Sequence, residues 1–294
     1  MKVLVTGAAG FIGSKLVVAL SQNRHEVTAL IHEKQLEDNS FRKICSDITD
    51  PDLSLPDDHY DIVYHLAAVT PLEKNKKILK RVNYDGTVNF FNKIKNKTKF
   101  FIYINGLGVF GDAPGIVNEE TPLKPHTDYA KTRLEAQKYL ESQCKENSIP
   151  FTVVYLGEVY GKGGWFTSQF LERLKNGKFK IPKSGEYYRN FIHVDDAVNA
   201  LVTIGEKNAG NTSFIVTDGH PTQFKEFINY ACDLLGLKHP GGVPTFLAKA
   251  VLGGDFVKLL TTSIRTSNEK ISKIYEFKFP TYQKGVEKVI SEIN

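Results

Sequence analysis

Close to its start the chain reads Thr6-Gly7-Ala8-Ala9-Gly10-Phe11-Ile12-Gly13, three glycines with two residues between each pair. Glycines so placed suit phosphate chemistry. One lets the chain turn tightly, one lets backbone N–H groups approach a pyrophosphate with no Cβ in the way, and one lets a helix pack against a strand. The helix N-terminus then faces the anion with unpaired donors and its dipole. At the end of the second strand, roughly 20 residues further on, an acidic residue accepts from a ribose 2′-OH and repels a 2′-phosphate. This chain has Ile31 there, followed by His32, Glu33 and Lys34. With two potential cations and no carboxylate at the strand end, the reading leans to NADP, while Glu33 keeps NAD open.

Such a loop needs a buried strand before it and a helix after it. Lys2 to Thr6 is a short apolar run stopped by glycine, as a strand buried on both faces reads. A helix follows over about Phe11 to Gln22, with Leu16, Val17 and Leu20 on one side. Further strands are expected at Glu26–Ile31, Asp61–Leu66, Phe100–Ile104 and Phe151–Tyr155. The helices between them are expected at Lys76–Asn96, with a stripe of Ile78, Val82, Gly86, Phe90 and Ile94, and at Asp128–Asn147. This alternation predicts an α/β fold, a Rossmann-type doubly wound parallel sheet with a smaller, mainly helical C-terminal substrate lobe.

After Gly157 the pattern loosens. A helix is expected near Phe166–Asn176, another at His193–Ile204 and a strand at Ser213–Thr217, before short helices cut by Pro221, Pro240, Pro244 and Pro280. The expected division is a nucleotide-binding domain over 1–158, with 190–218 returning to it, and a lobe made of 159–189 and 219–294.

The 294 residues are 41% hydrophobic and 24% charged, enough for a sizeable core in one large domain or two small ones. A net charge of +5 is too small and too dispersed to argue for nucleic acid. No apolar run approaches the roughly 18 residues of a membrane span. Glycines break the N-terminal apolar stretch, so no cleaved leader is expected. Cys45, Cys144 and Cys232 are odd in number and far apart, with no CxxC pair. A reducing cytoplasm and no metal site are the expectation.

The glycine loop resembles the TGxxGxxG loop of the short-chain dehydrogenase/reductase superfamily, in its extended branch, the NAD-dependent epimerase/dehydratase family. Asp47-Ile48 resembles the family's adenine-contacting pair. His65-Leu66-Ala67-Ala68 resembles its HxAA strand end, Asn83-Tyr-Asp-Gly86-Thr87-Val-Asn89 its NxxGTxN helix, and Val109-Phe110-Gly111 its VYG. Gly157-Glu-Val-Tyr-Gly161 and Arg189-Asn-Phe-Ile-His193-Val-Asp-Asp196 match later blocks. The resemblance implies a cofactor-binding set of Gly7, Gly10, Phe11, Ile12, Gly13, His32, Asp47, Ile48, Leu66, Ala67, Ala68, Asn83, Leu156 and Val159, completed by Tyr129 and Arg133. It also implies a homodimer paired through the 76–96 and 128–147 helices.

The family's chemistry uses a Tyr and a Lys at i, i+4 with a Ser or Thr on the preceding strand. A phenol with a pKa near ~10 is a poor base until a cation lowers it. Tyr129 is present here, Arg133 stands at i+4, and Gly106 replaces the hydroxyl residue beside Asn105. Arg133 keeps a permanent charge, with a planar fork in place of an ammonium. Asn105 or Thr132 is the candidate substitute donor, so Tyr129, Arg133 and Asn105 form the expected catalytic set. Leu107-Gly108 occupies the place of the Asp-Glu pair that dehydratases carry, which argues against water elimination.

On the substrate side, Arg189 matches the arginine that binds a diphosphate in nucleotide-sugar members, unless it pairs with Asp195 or Asp196. Thr70 and Gly106 join it in the expected substrate set, and Trp165 either walls the pocket or belongs to the core. Arg265 is a second anion candidate. The resulting expectation is an NAD(P)-dependent oxidoreductase or epimerase acting at a secondary alcohol or ketone of a nucleotide sugar or another small hydroxylated substrate. The alternative is a non-catalytic, NAD(P)-binding regulatory or redox-sensing protein.

Overall fold

The computed structural model describes residues 1–38 and 40–293. Its central sheet has seven parallel strands, β1 (Lys2–Thr6), β2 (Glu26–Ile31), β3 (Arg42–Cys45), β4 (Ile62–His65), β5 (Phe101–Gly106), β6 (Phe151–Leu156) and β7 (Thr212–Val216). They lie in the order β7-β6-β5-β4-β1-β2-β3. The chain steps one way from β1 and then the other from β4, so the switch point falls between these two strands. At such a point loops splay apart above the strand ends and leave a crevice.

The main helices are α1 (Phe11–Gln22), α2 (residues 76–94), α3 (Asp128–Glu146), α4 (residues 166–175), α5 (Val194–Glu206), α6 (Phe224–Leu234), α7 (Thr245–Leu252), α8 (Gly254–Thr261) and α9 (Tyr282–Ser291). Strand side chains alternate between two apolar layers, which is why the strands read as continuous apolar runs. Val3, Val5, Ala29, Tyr64 and Ile102 face α1 and α5, with Leu16, Val17, Leu20 and Leu201. Leu4, Leu30, Val63, Phe101 and Tyr103 face α2 and α3, with Phe90, Ile94, Leu134 and Leu140. The lobe has its own aromatic core, in which Phe191 stacks on Phe227 at 3.9 Å. Asp196 ties the lobe's C-terminal segment to α5. Its carboxylate accepts from the Tyr275 hydroxyl at 2.6 Å and from the backbone of Lys278 and Phe279.

Two sequence expectations need correction. The strand Arg42–Cys45 escaped notice because it lies at the sheet edge, half-exposed and paired only with β2. An edge strand needs no apolar run. In α2, Ile78 and Val82 are only half-buried, and the buried face runs through Leu79, Asn83, Gly86, Thr87, Phe90, Phe91 and Ile94. A four-residue repeat overshoots the helical turn by about 40° a step, so it cannot stay on one face of a regular helix. The segment Arg81–Gly86 is a π turn, which shifts the phase again. Among the described residues no helix is long and apolar enough to cross a membrane.

Candidate active site

The three loop glycines do different work. Gly7 has φ +66°, and a Cβ there would lie 2.8 Å from the Ala67 nitrogen. At Gly13 a Cβ would lie 2.2 Å from the Gly7 carbonyl oxygen, so α1 seats directly on the turn. Packing alone demands both. Gly10 is exposed, and a Cβ there would meet only the Gly7 oxygen, at 3.1 Å. It is the N-cap of α1, with no side-chain cap and no acidic residue in the first turn. The first N–H groups of α1 therefore lack both of the usual side-chain partners. Phe11 is covered by the Gly161–Gly164 turn, where a Cβ at Gly164 would come within 2.5 Å of the ring. Ile12 beside it is half-buried.

Thr6 and His65 are register partners on β1 and β4, directly at the switch point. Thr87 donates its hydroxyl to the Asn83 carbonyl at 2.9 Å, so it accepts from His65 Nε2 at 2.9 Å. His65 Nδ1 then accepts from the Thr6 hydroxyl at 2.8 Å, and Thr6 Oγ1 accepts from the Ala67 N–H at 3.1 Å. The chain of bonds fixes one neutral tautomer. Burial, and then the Arg133 charge, push this imidazole down to about 3. His65 is a strut that holds Leu66, Ala67 and Ala68 under the crevice.

Asn83, Gly86 and Asn89 of the 83–89 block hold the segments packed around them. Asn83 Oδ1 accepts from the Val69 N–H at 3.0 Å. Gly86 leaves room for Ile48, whose side chain a Cβ would meet at 3.0 Å. Asn89 donates to the carbonyls of Ile48 and Asp50 at 2.9 and 2.6 Å. The Asp47-Ile48 loop is thus pinned to α2. Burial alone would raise the Asp47 carboxyl. The Thr49 donors, then His32 and Arg81, outweigh it and hold the group below the usual range. His32 is exposed, with Nε2 3.6 Å from Asp47 Oδ2. His32, expected near a ribose 2′-phosphate, thus stands beside a carboxylate.

Beyond β5 and β6 lies a cavity of about 220 Å³, lined by Gly106, Tyr129, Glu158, Arg189, Leu259 and Thr262 among others. Tyr129 stands on the first turn of α3, whose N-cap Thr127 accepts from the Ala130 N–H at 3.2 Å. At Gly106 a Cβ would meet nothing within 4 Å. Leu156 and Gly157 complete the wall on the β6 side, with Val159 buried behind it.

Several expected residues do not gather there. Arg133 is buried against the sheet, donating to the Ile104 carbonyl with its guanidinium 4.6 Å over the Tyr103 ring. Its Nε and Nη1 are buried without a partner. Asn105 is buried outside the cavity lining, where its amide donates to Gln137 Oε1 at 2.9 Å and its oxygen accepts from the Gly106 N–H. The Thr132 hydroxyl is likewise taken, by the Tyr129 carbonyl at 2.8 Å. Trp165 belongs to the lobe core, packed on Phe166, Phe170 and Phe227 with its N–H on the Val159 carbonyl at 2.9 Å. Thr70 is exposed outside the cavity lining. Arg189 pairs with Glu158, not with Asp195 or Asp196. Burial pushes Arg189 down to about 10, so it stays charged at neutral pH.

Sequence reasoning missed several lining residues, among them Glu158, Leu259, Thr262 and Ile264. The signal for Glu158 was a carboxylate set inside the otherwise apolar 153–160 run. Leu259 packs over Gly108, where a Cβ would meet it at 2.6 Å. Only the folded-back lobe brings it there.

A parallel doubly wound sheet, an open helix N-terminus at its switch point and a tyrosine-lined cavity beside it define a Rossmann-type α/β protein. The chain belongs to the NAD dependent epimerase/dehydratase family, whose model matches residues 3–216. A 3-diazoavenalumate denitrifying reductase from Streptomyces sp is 26% identical over 306 residues, spanning 97% of this chain and 99% of that protein. The solved UDP-glucuronic acid 4-epimerase from Bacillus cereus, in complex with UDP-glucuronic acid and NAD, is similar with a TM-score of 0.85 and 24% identity, over 100% of both chains. Human epimerase family protein SDR39U1 (isoform 2) with NADPH is similar with a TM-score of 0.81 and 20% identity, over 99% of both chains. At these identities the two structures establish the fold.

Proposed function

We propose that this chain binds a nicotinamide dinucleotide across the C-terminal ends of β1 and β4. It then transfers hydride at a secondary alcohol or ketone of a nucleotide sugar or another small hydroxylated substrate, as an NAD(P)-dependent oxidoreductase or epimerase. The observation that carries the reading is the uncapped N-terminus of α1 at Gly10, facing the same strand ends as the Tyr129 cavity. The orphaned Nε and Nη1 of Arg133 fit the same group, since ribose hydroxyls are acceptors for such donors. The relatives support it, one being a reductase and the two solved neighbours carrying NAD and NADPH.

In this reading the loop from Gly7 to Gly13 holds the pyrophosphate and Asp47-Ile48 flanks the adenosine end. The backbone of Ala67 and Ala68 forms the floor. A bound nicotinamide supplies the hydride chemistry. Tyr129 handles the proton, exchanging it with the substrate oxygen in the cavity. Leu107 and Gly108 stand where dehydratases carry an Asp-Glu pair, and the carboxylate that does line the cavity, Glu158, is paired with Arg189, which keeps the proposal with oxidoreduction or epimerisation rather than dehydration. His32 and Lys34 favour NADP, while Asp47 beside His32 and Glu33 keep NAD open. A cytoplasmic setting and a homodimer belong to the same proposal.

Titration calorimetry of the wild type and Gly10→Val with NAD, NADP and their reduced forms tests this. The wild type is expected to bind a dinucleotide, and Gly10→Val to lose it while keeping its circular dichroism. Unchanged affinity in the variant contradicts the loop assignment. Reduction of the bound dinucleotide by added alcohols separates an enzyme from a protein that only binds.

A further inference from the structure

We infer that Glu158 makes the cavity beside Tyr129 selective against a diphosphate, so that the substrate is uncharged at the Arg189 end. This rests on the hydride-transfer reading above and narrows its substrate class.

Arg189 is the one cation among the described residues that line the cavity, and Glu158 the one carboxylate. The two form an ion pair through Nη2. Nη1 donates to the carbonyls of Leu259 and Thr262 at 3.0 and 3.2 Å. A phosphate is best held by two parallel N–H donors of one guanidinium. Here both terminal nitrogens already have acceptors, and only Nε is without one. The Arg189 side chain is 10% exposed and that of Glu158 33%, so the pair is shielded on the arginine side and reached from the cavity on the glutamate side.

An incoming diphosphate meets the carboxylate first. To reach the guanidinium it must displace Glu158 and leave that charge beside its own in a poorly solvated place, a like-charge contact that costs affinity. Among the described residues no other cation lines the cavity. Arg265 lies outside the lining, with its guanidinium over the Tyr188 ring at 5.2 Å. The remaining walls are largely apolar, from Leu107, Leu156, Leu259 and Ile264. A volume of about 220 Å³ suits a single ring carrying a hydroxyl or keto group. Pockets that bury whole drug-sized ligands run to roughly 300–1,000 Å³.

The test is calorimetric titration of UDP-glucose into the dinucleotide-saturated protein, for the wild type, Glu158→Gln and the double variant Glu158→Gln/Arg189→Gln. Glu158→Gln keeps the shape of the side chain and an oxygen for Arg189 while removing the charge. It is expected to bind UDP-glucose at least ~10-fold more tightly than the wild type, and the double variant is expected to lose that gain. Tight, saturable binding by the wild type overturns the inference, and so does a Glu158→Gln protein that folds and gains nothing. If Glu158→Gln fails to fold, the wild-type titration alone decides between weak and tight binding. Failure of dinucleotide binding in the same protein counts against the hydride-transfer reading instead, so the two are separable.

Discussion

The carboxylate of Asp255, in the first turn of α8, accepts hydrogen bonds from the backbone N–H groups of Asp128 and Tyr129 at 3.0 and 3.2 Å. A lobe residue thus caps the helix that carries Tyr129. A carboxylate there satisfies two orphan donors and complements the helix dipole. Asp255→Ala is expected to lower stability by about 1 kcal/mol and to reduce turnover more than dinucleotide affinity, because it loosens Tyr129 and leaves the glycine loop alone. Thermal denaturation and steady-state kinetics measure both. An equal loss of cofactor affinity contradicts the assignment.

Gly106 is the position where the family resemblance expects a hydroxyl. Its backbone is extended, with φ −117° and ψ 161°, and its Cβ direction is empty to 4 Å. Gly106→Ser is therefore expected to fold with an unchanged melting temperature and to place a donor in the cavity. Loss of one such donor costs roughly 10²–10³ in rate, so the variant is expected to turn over substrate faster by at least ~10-fold. A slower variant with normal folding means the open space is used by the substrate itself.

Two buried groups give stability opposite slopes with pH. His65 is pushed down to about 3 from the ordinary 6.5, chiefly by burial. Below 6.5 the unfolded chain takes up a proton that the fold refuses, so stability falls as pH drops toward 3. Asp218 is pushed up to about 7 from 3.8, chiefly by burial. Its fold favours the protonated acid, so that contribution is whole below 3.8 and is lost as pH rises through 7. Each limb approaches about 1.4 kcal/mol per pH unit, and the two offset each other between about 4 and 6.5. Asp218→Asn removes one limb and keeps an acceptor for the His220 N–H, now held at 3.0 Å. It is expected to be more stable than the wild type at pH 8, with the gap closing toward pH 4. Denaturant melts at both pH values check it, and a gap independent of pH refutes the Asp218 assignment.

The outer faces of α2 and α3 carry Lys77, Lys80, Asp85, Lys131, Glu135 and Lys138, with Tyr84 against Tyr139 at 6.4 Å in the seam between the helices. Pairing of this face with its copy is expected to give a particle of twice 33.0 kDa. So charged a surface makes the dimer sensitive to salt. Light scattering at low and at high ionic strength is the measurement, and a monomer at both rejects the pairing.

The strands around the glycine loop were legible because each is buried on both faces and must be apolar throughout. Lys2–Thr6 and Glu26–Ile31 match the sequence expectation residue for residue. The site was legible where a motif residue has a backbone or packing duty, as with Gly7, Gly13, Asn83 and His65. It was not legible where the duty depends on which of several long side chains arrives first. For Arg189 the sequence offered only Asp195 and Asp196 as partners, and it is the pairing of Phe191–His193 beside Glu158–Tyr160 that brings Glu158 to it instead. Arg133 kept the helical spacing of the family's lysine, yet its longer fork found the Ile104 carbonyl beneath Tyr103.

The last strand of the sheet comes from far downstream. β7 joins β6 in parallel only after residues 157–211 have been laid down, and α5, from the same stretch, covers the apolar side of α1. A nascent chain that has emerged only to residue 158 therefore carries β6 as a bare edge and α1 without its cover, the exposed surfaces on which chains associate wrongly. Synthesis and sheet closure cannot proceed in step here. A fragment cut at 158 is expected to be sticky rather than to behave as a free-standing module.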